Sequence, residues 1–145
     1  MLLRKAERRF NLHTADYARL AAFRQGLREF LRFSEGAAEH AGLLTQHYQA
    51  MLIVRACPEG LTITINDLAR QLLIKHNSAV GLVDRLAKEG LVKRAVSATD
   101  RRKVELQLSA RGRQVLARLA AMHRRELERI GPELKRLIAE VLRTG

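Results

Sequence analysis

Apolar side chains recur at three- and four-residue spacing through Tyr17, Leu20, Phe23, Leu27, Phe30 and Leu31, which predicts a long helix over Ala15–Ala38. A basic N-terminus, expected to fray, precedes it. Gly42 interrupts the pattern, and Thr45 is the expected N-cap of a second helix with Tyr48, Met51, Leu52 and Ala56 on one face. Cys57-Pro58-Glu59-Gly60 breaks that helix. Thr64-Ile65-Asn66-Asp67 reads as an acidic variant of the capping box, opening a short helix with Ile65, Leu68, Ala69 and Leu72 inward. A turn near Leu73 to Lys75 follows. The next helix runs to about Glu89, turns Ala79, Leu82, Val83 and Leu86 to the core, and ends at Gly90, a residue suited to the left-handed C′ position.

Beyond Gly90 the period changes from helical to alternating. Leu91 to Ser97 and Lys103 to Leu108 form a two-stranded hairpin pattern around a polar tip, with Val104, Leu106 and Leu108 alternating with Glu105 and Gln107. Ser109 is expected to cap a long helix to about Ile130. Gly131-Pro132 is expected to break it, leaving a last helix over Glu133–Arg143 with Leu134, Leu137, Ile138, Val141 and Leu142 in one stripe. The fold class is therefore mainly α with a small β-hairpin wing. A winged helix-turn-helix region over residues 43–108 sits between helical regions at residues 1–42 and 109–145.

Length and composition narrow the choice of partner. A chain of 145 residues suits one domain with a hydrophobic core, and 47% apolar with 29% charged residues is an ordinary globular composition. No apolar run is long enough for a membrane-spanning helix, and the N-terminus lacks the apolar segment of a secretory signal. The single cysteine, Cys57, cannot form an internal disulfide, which fits a reducing cytoplasm. The informative quantity is charge: +12, with an isoelectric point near 11.1. A field of that sign favours polyanions, whether DNA, RNA or an anionic membrane surface. Eight basic residues against three acidic ones fall between Lys75 and Lys103, the segment of the helix-turn-helix and wing.

On the second helix of the helix-turn-helix, the core-facing positions leave His76, Asn77, Ser78, Gly81 and Arg85 on or near the opposite side. The first turn of a recognition helix enters the major groove, where Asn pairs with adenine and Arg with guanine or phosphate. Asn77 or Ser78 can equally serve as an N-cap, a role compatible with phosphate binding at a helix N-terminus. A mid-helix Gly81 costs about 1 kcal/mol against Ala, and either close approach of DNA or tight packing would explain it. At the wing tip, Asp100 stands two residues before Arg102 and can orient its guanidinium for a narrow minor groove; the same pair also suits a solvated charged turn. The candidate DNA-contacting residues are Lys75, His76, Asn77, Ser78, Gly81, Arg85, Arg94, Asp100, Arg101 and Arg102.

Together these segments resemble the MarR family of bacterial transcription regulators. The resemblance rests on Leu44-Thr45-Gln46, Asp67-Leu68-Ala69, the run Ser78 to Leu86, Gly90-Leu91-Val92-Lys93-Arg94, Asp100-Arg101-Arg102, and Leu106-Gln107-Leu108-Ser109-Ala110-Arg111-Gly112. It implies a homodimer whose N- and C-terminal helices interleave with those of the partner, binding double-stranded DNA at a pseudo-palindrome. The apolar stripe of the last helix supports a partner helix independently. The resemblance also implies repression, with release by a small aromatic effector. By position, Phe33, His47, Tyr48 and Met51 are the candidate lining of its pocket, although such spacing also suits core.

Cofactor and enzyme readings have no constellation behind them. The five histidines form no close ligand pair, so no metal or other cofactor is implied. No Gly-rich phosphate loop, Gly-x-Ser-x-Gly or nucleophile in a strained turn occurs, so no catalytic residues are assigned. Cys57 reads as a small buried hydrophobe. Two other readings share the fold and charge: a ligand-independent architectural DNA-binding protein, and a winged helix that binds RNA or protein.

Overall fold

A computed structural model describes residues 9–143. The basic N-terminal stretch expected to fray lies, up to residue 8, outside the described residues. The elements are α1 (Thr14–His40), α2 (Thr45–Ala56), β1 (Ile63–Thr64), α3 (Ile65–Leu72), α4 (His76–Lys88), β2 (Val92–Val96), β3 (Val104–Leu108) and α5 (Ala110–Val141). They fall into two compact units. One holds the chain to Ser34 and again from His123, and the other holds Glu35–Met122.

In the Glu35–Met122 unit, α2 packs on α3 and β3, and α3 packs on α4. Met51, Leu68, Val83, Leu86, Leu91 and Leu119 are almost completely buried there. The expected acidic capping box opens α3. The Asp67 N–H donates to Thr64 Oγ1 at 3.2 Å, and the Thr64 N–H returns to Asp67 Oδ2 at 3.0 Å. That returning N–H is the main reason the Asp67 carboxyl is held below its ordinary pKa. At the other end of α3, Leu73 adopts the left-handed conformation (φ 56°) and is 92% exposed. Gly90 closes α4 with φ +71°, in keeping with the C′ role.

Three features depart from the sequence-based expectations. The N-cap of α2 is Leu44 and not Thr45, because His47 Nδ1 accepts the Leu44 N–H at 3.1 Å and so does the work of a capping side chain. The wing belongs to a three-stranded sheet of order β1-β3-β2, since Ile63 and Thr64 pair with Leu106 and Glu105. The third is helix α5, which runs unbroken through Gly131 and Pro132 to Val141. Proline removes one helical hydrogen bond, at a cost of about 3 kcal/mol, but the following turns are held otherwise. Arg136 pairs with Glu133 and with Glu140, and Leu137 is buried.

That burial takes place in the other unit. A Cβ on Gly26 of α1 would lie only 3.2 Å from side-chain atoms of both Leu134 and Leu137, so the helices meet closely there. Ser34 Oγ lies 2.7 Å from His123 Nε2, and Phe30 and Phe33 present ring edges or faces to the same imidazole. The outer faces are apolar and bare: Tyr17, Leu20, Leu27 and Leu31 on α1, with Leu127, Ile138 and Leu142 from the other segment, are exposed. The last-helix stripe is thus half used within the chain.

Candidate nucleic-acid interface

The first turn of α4 starts without a side-chain cap. Lys75 is the N-cap residue, in extended conformation, and its side chain makes no capping bond. Asn77 and Ser78 therefore lie inside the helix, and the N-cap role considered for them is excluded. This frees their side chains. It also leaves the first backbone N–H groups of α4 pointing outward at the positive end of the helix dipole, where an anion is favoured. Lys75, His76, Asn77, Ser78, Gly81 and Arg85 are all exposed, on the side opposite buried Ala79, Leu82, Val83 and Leu86.

Gly81 resolves in a specific way. Beyond its own stretch of helix, a Cβ built on it meets no atom of the described residues within 4 Å, so tight packing against them does not explain it. The helix carries a destabilising glycine on an open, cation-rimmed face.

At the wing, Ser97 is buried and organises the loop. Its Oγ accepts the N–H groups of Thr99 and Asp100, each at 3.3 Å, while the Lys103 N–H donates to the Asp100 carbonyl at 3.0 Å. Asp100 Oδ1 then accepts from Arg102 twice, from its N–H at 3.0 Å and its Nε–H at 3.3 Å. The Arg102 side chain is nevertheless 92% exposed, so it is aimed but unspent. Arg101 beside it is exposed as well. Arg94 behaves differently. Its guanidinium pairs with Asp84 of α4, which ties β2 to the helix and partly neutralises both.

The base of the wing is anchored to the start of α5. The Ser109 N–H donates to the Leu91 carbonyl at 3.0 Å, and its hydroxyl donates to the Gly90 carbonyl at 2.6 Å. The same hydroxyl oxygen accepts the Gly112 N–H at 2.9 Å. A Cβ on Gly112 would stand 2.0 Å from the Leu91 carbonyl oxygen, so only glycine fits. This gives the Leu-Ser-x-x-Gly spacing its physical cause.

The four residues considered for an effector pocket are divided between the units. Phe33 belongs to the unit containing His123 and packs against that ring at 5.7 Å. His47, Tyr48 and Met51 are buried on α2 in the other. His47 is the unusual one. It is only 5% exposed, its Nδ1 accepts the Leu44 N–H, and its Nε2 has no hydrogen-bond partner among the described residues. Burial lowers its pKa below the ordinary value of 6.5; Glu89 opposes this and Arg85 adds to it. The folded chain thus binds the proton less well than the unfolded one. The stability this contributes is fully present above about pH 6.5 and is lost as pH falls towards the lowered pKa. Thermal unfolding should show a larger drop in midpoint between about pH 7.5 and 5.5 for the wild type than for His47→Gln, which keeps an acceptor at the capping position. Equal drops would remove His47 from the account.

The family model described as MarR family matches residues 41–103. Residues 41–103 thus resemble the winged helix-turn-helix of the MarR family. The match takes in α2, the helix-turn-helix, the wing tip and Arg102, and stops before the Ser109–Gly112 anchor. The chain is 34% identical over 85 residues to an uncharacterized HTH-type transcriptional regulator, YfiV, of Bacillus subtilis, covering 56% of this chain and 53% of that protein. It spans about half the length of the curated relatives it matches. Among solved structures, it resembles AbsC, a MarR family transcriptional regulator from Streptomyces coelicolor, with TM-score 0.73, 20% identity and coverage of 85% and 82% of the two chains. It also resembles MepR of S. aureus in its DNA complex, with TM-score 0.63, 18% identity and coverage of 82% and 97%.

Within this region, sequence reasoning missed two things that matter to the interface. One is the Asp84–Arg94 pair, formed between residues ten apart on different elements; the alternating signs were visible, but the partner was not. The other is Ser97, whose hydroxyl shapes the loop that presents Asp100 and Arg102. A serine opening a tight polar turn is the signal that would have found it.

Proposed function

We propose that the chain is a homodimeric transcription regulator that binds duplex DNA sequence-specifically. In this reading the uncapped first turn of α4 enters the major groove, and Arg102 enters the flanking minor groove. The observation that carries it is the pairing of two unspent features in one MarR-family domain: an exposed, uncapped helix N-terminus lined by Lys75, His76, Asn77 and Ser78, and a wing-tip guanidinium held in place by Asp100. The relatives support it, since YfiV is named as a transcriptional regulator and the MepR structure is a complex with DNA. Gly81 fits the same reading, because an open helical glycine allows the backbone to come close to a groove wall.

Two copies are proposed because the bare apolar faces of α1 and the C-terminal part of α5 need cover, and a second copy offers the same faces by twofold symmetry. In that arrangement residues 1–42 and 109–145 form the dimerisation region and residues 43–108 the DNA-binding region. Two α4 helices related by a dyad address half-sites about one helical turn apart. The resemblance to MarR proteins adds repression, and release by a small aromatic effector. No helix among the described residues is long and apolar enough to cross a membrane. The relatives are named as regulators, and no catalytic role is proposed.

Phosphate neutralisation makes the reading testable by salt. Affinity for a mixed-sequence duplex of about 30 base pairs should fall about a thousandfold or more between about 50 and 200 mM salt, as expected when about six or more phosphates are neutralised. A flat dependence, or tighter binding of a structured RNA of equal length, would overturn it.

A further inference from the structure

Where the chain enters the left-handed region it does so, with one exception, through residues suited to it. Gly42, Gly60 and Gly90 lie there at φ +72°, +80° and +71°, and Asn11 at φ 52°. Glycine has no Cβ to clash, and asparagine is among the few side chains that tolerate the conformation. Leu73 is the exception among the described residues, with φ 56° and ψ 40°. It ends α3 by donating its N–H to the Arg70 carbonyl at 3.3 Å, while the Ile74 N–H reaches the Ala69 carbonyl at 3.0 Å. Both bonds are made by backbone, so a glycine at this position would make them equally. Nor does the side chain fill the core. Leu73 is 92% exposed, more than any other large apolar residue among those described. In the free chain it therefore carries two penalties, a Cβ in the left-handed region and apolar surface in water.

Its position gives the side chain a use. Leu73 precedes Lys75, the N-cap of α4, by two residues, or at most about 7 Å of chain. Lys75, His76, Asn77 and Ser78 follow it, all exposed, at the uncapped start of that helix. Polar and charged groups there suit phosphates and base edges, whereas a leucine suits neither. The apolar surface that a duplex offers next to its phosphates is the deoxyribose ring. We propose that Leu73 is a DNA-contacting residue, its side chain packing on a deoxyribose of the groove wall beside the point where α4 enters. Contacts to the sugar-phosphate backbone fix register and orientation, and this one does so without charge. The inference rests on the DNA-binding reading above and adds to it an apolar contact that none of the polar and charged candidates supplies.

The test is fluorescence anisotropy of the full chain and of its Leu73→Gly, Leu73→Asn and Leu73→Met variants on the mixed-sequence duplex of about 30 base pairs, with thermal unfolding of each sample. Leu73→Gly and Leu73→Asn should weaken binding by about 5- to 30-fold, the effect of losing a part-buried leucine side chain. The dependence of affinity on salt should keep the wild-type slope, because no phosphate contact is lost. Their melting midpoints should equal or exceed that of the wild type, since both residues fit the left-handed region. Leu73→Met keeps an apolar side chain and should keep most of the affinity. The same losses should appear on a duplex with deoxyuridine in place of thymidine, which lacks the base methyl groups. Unchanged affinity in Leu73→Gly and Leu73→Asn, an equal loss in Leu73→Met, a lowered midpoint in Leu73→Gly, or losses confined to the thymidine duplex would each overturn the contact with deoxyribose. A wild type that binds no duplex at all would instead sink the DNA-binding reading on which that contact rests.

Discussion

Arg102→Ala is expected to lower affinity for duplex DNA by about 10- to 100-fold, the range for losing charge-assisted bonds to a polyanion, while leaving the melting temperature and oligomeric state unchanged. The separation of effects follows from geometry. The side chain is 92% exposed, and its partner Asp100 lies on the same tip, so folding gains almost nothing from it. The loop itself is shaped by Ser97 and by the Lys103 N–H on the Asp100 carbonyl, neither of which the substitution touches. Fluorescence anisotropy with a labelled duplex at about 100 mM salt, beside thermal unfolding of the same sample, reads both halves. Unchanged affinity would take the wing out of the interface. A lowered melting temperature would show that the arginine serves the fold.

Gly112→Ala should act in the opposite sense, lowering the stability of the fold itself. Helix propensity alone would favour alanine by about 1 kcal/mol. The added Cβ would instead stand 2.0 Å from the Leu91 carbonyl oxygen and 3.0 Å from its carbon, both backbone atoms with no rotamer to relieve them. Moving α5 away would also cost the Ser109 bonds to Leu91 and Gly90. The net loss is expected to be about 3 kcal/mol, the upper part of the usual range for overpacking. That corresponds to a fall of about 10 °C in the midpoint for a chain of this size. Circular dichroism on heating measures it. A midpoint equal to or above that of the wild type would mean that the wing base is not clamped to α5 in this way.

The contrast between these two residues bears on how much was legible in the sequence. Period and capping chemistry are local, and they were readable. The helical stripe of α1, the Thr64–Asp67 box, the core positions of α4 and the Asp100–Arg102 pair all depend on residues within a few positions of each other. Features that depend on distant neighbours were not. β1 is two residues long, too short for any alternation, and exists because β3 offers an edge to pair with. Pro132 reads locally as a break, yet the Arg136 ion pairs and the close approach of Leu134 and Leu137 to Gly26 carry the helix past it. The spacing from Ser109 to Gly112 was recognisable as a motif, but its cause, a carbonyl twenty-one residues upstream in sequence, was visible only in the fold.

Something similar holds at the interface. Ten residues were chosen from charge and helical phase, and the structure leaves Lys75, His76, Asn77, Ser78, Gly81, Arg85, Arg101 and Arg102 exposed, as a partner surface requires. It gives Arg94 an acidic partner that helical phase alone could not reveal, so this residue enters any DNA contact already half neutralised. It also separates Gly81 from the packing explanation, which leaves an open helical face with a cost and no intramolecular return.

The most direct measurement is selection from a pool of randomised duplexes with the purified chain. An inverted repeat whose half-site centres lie about ten base pairs apart should be enriched, with A·T-rich flanks where Arg102 meets the narrow minor groove. A pool without dyad symmetry, or one that never rises above its unselected composition, would contradict it.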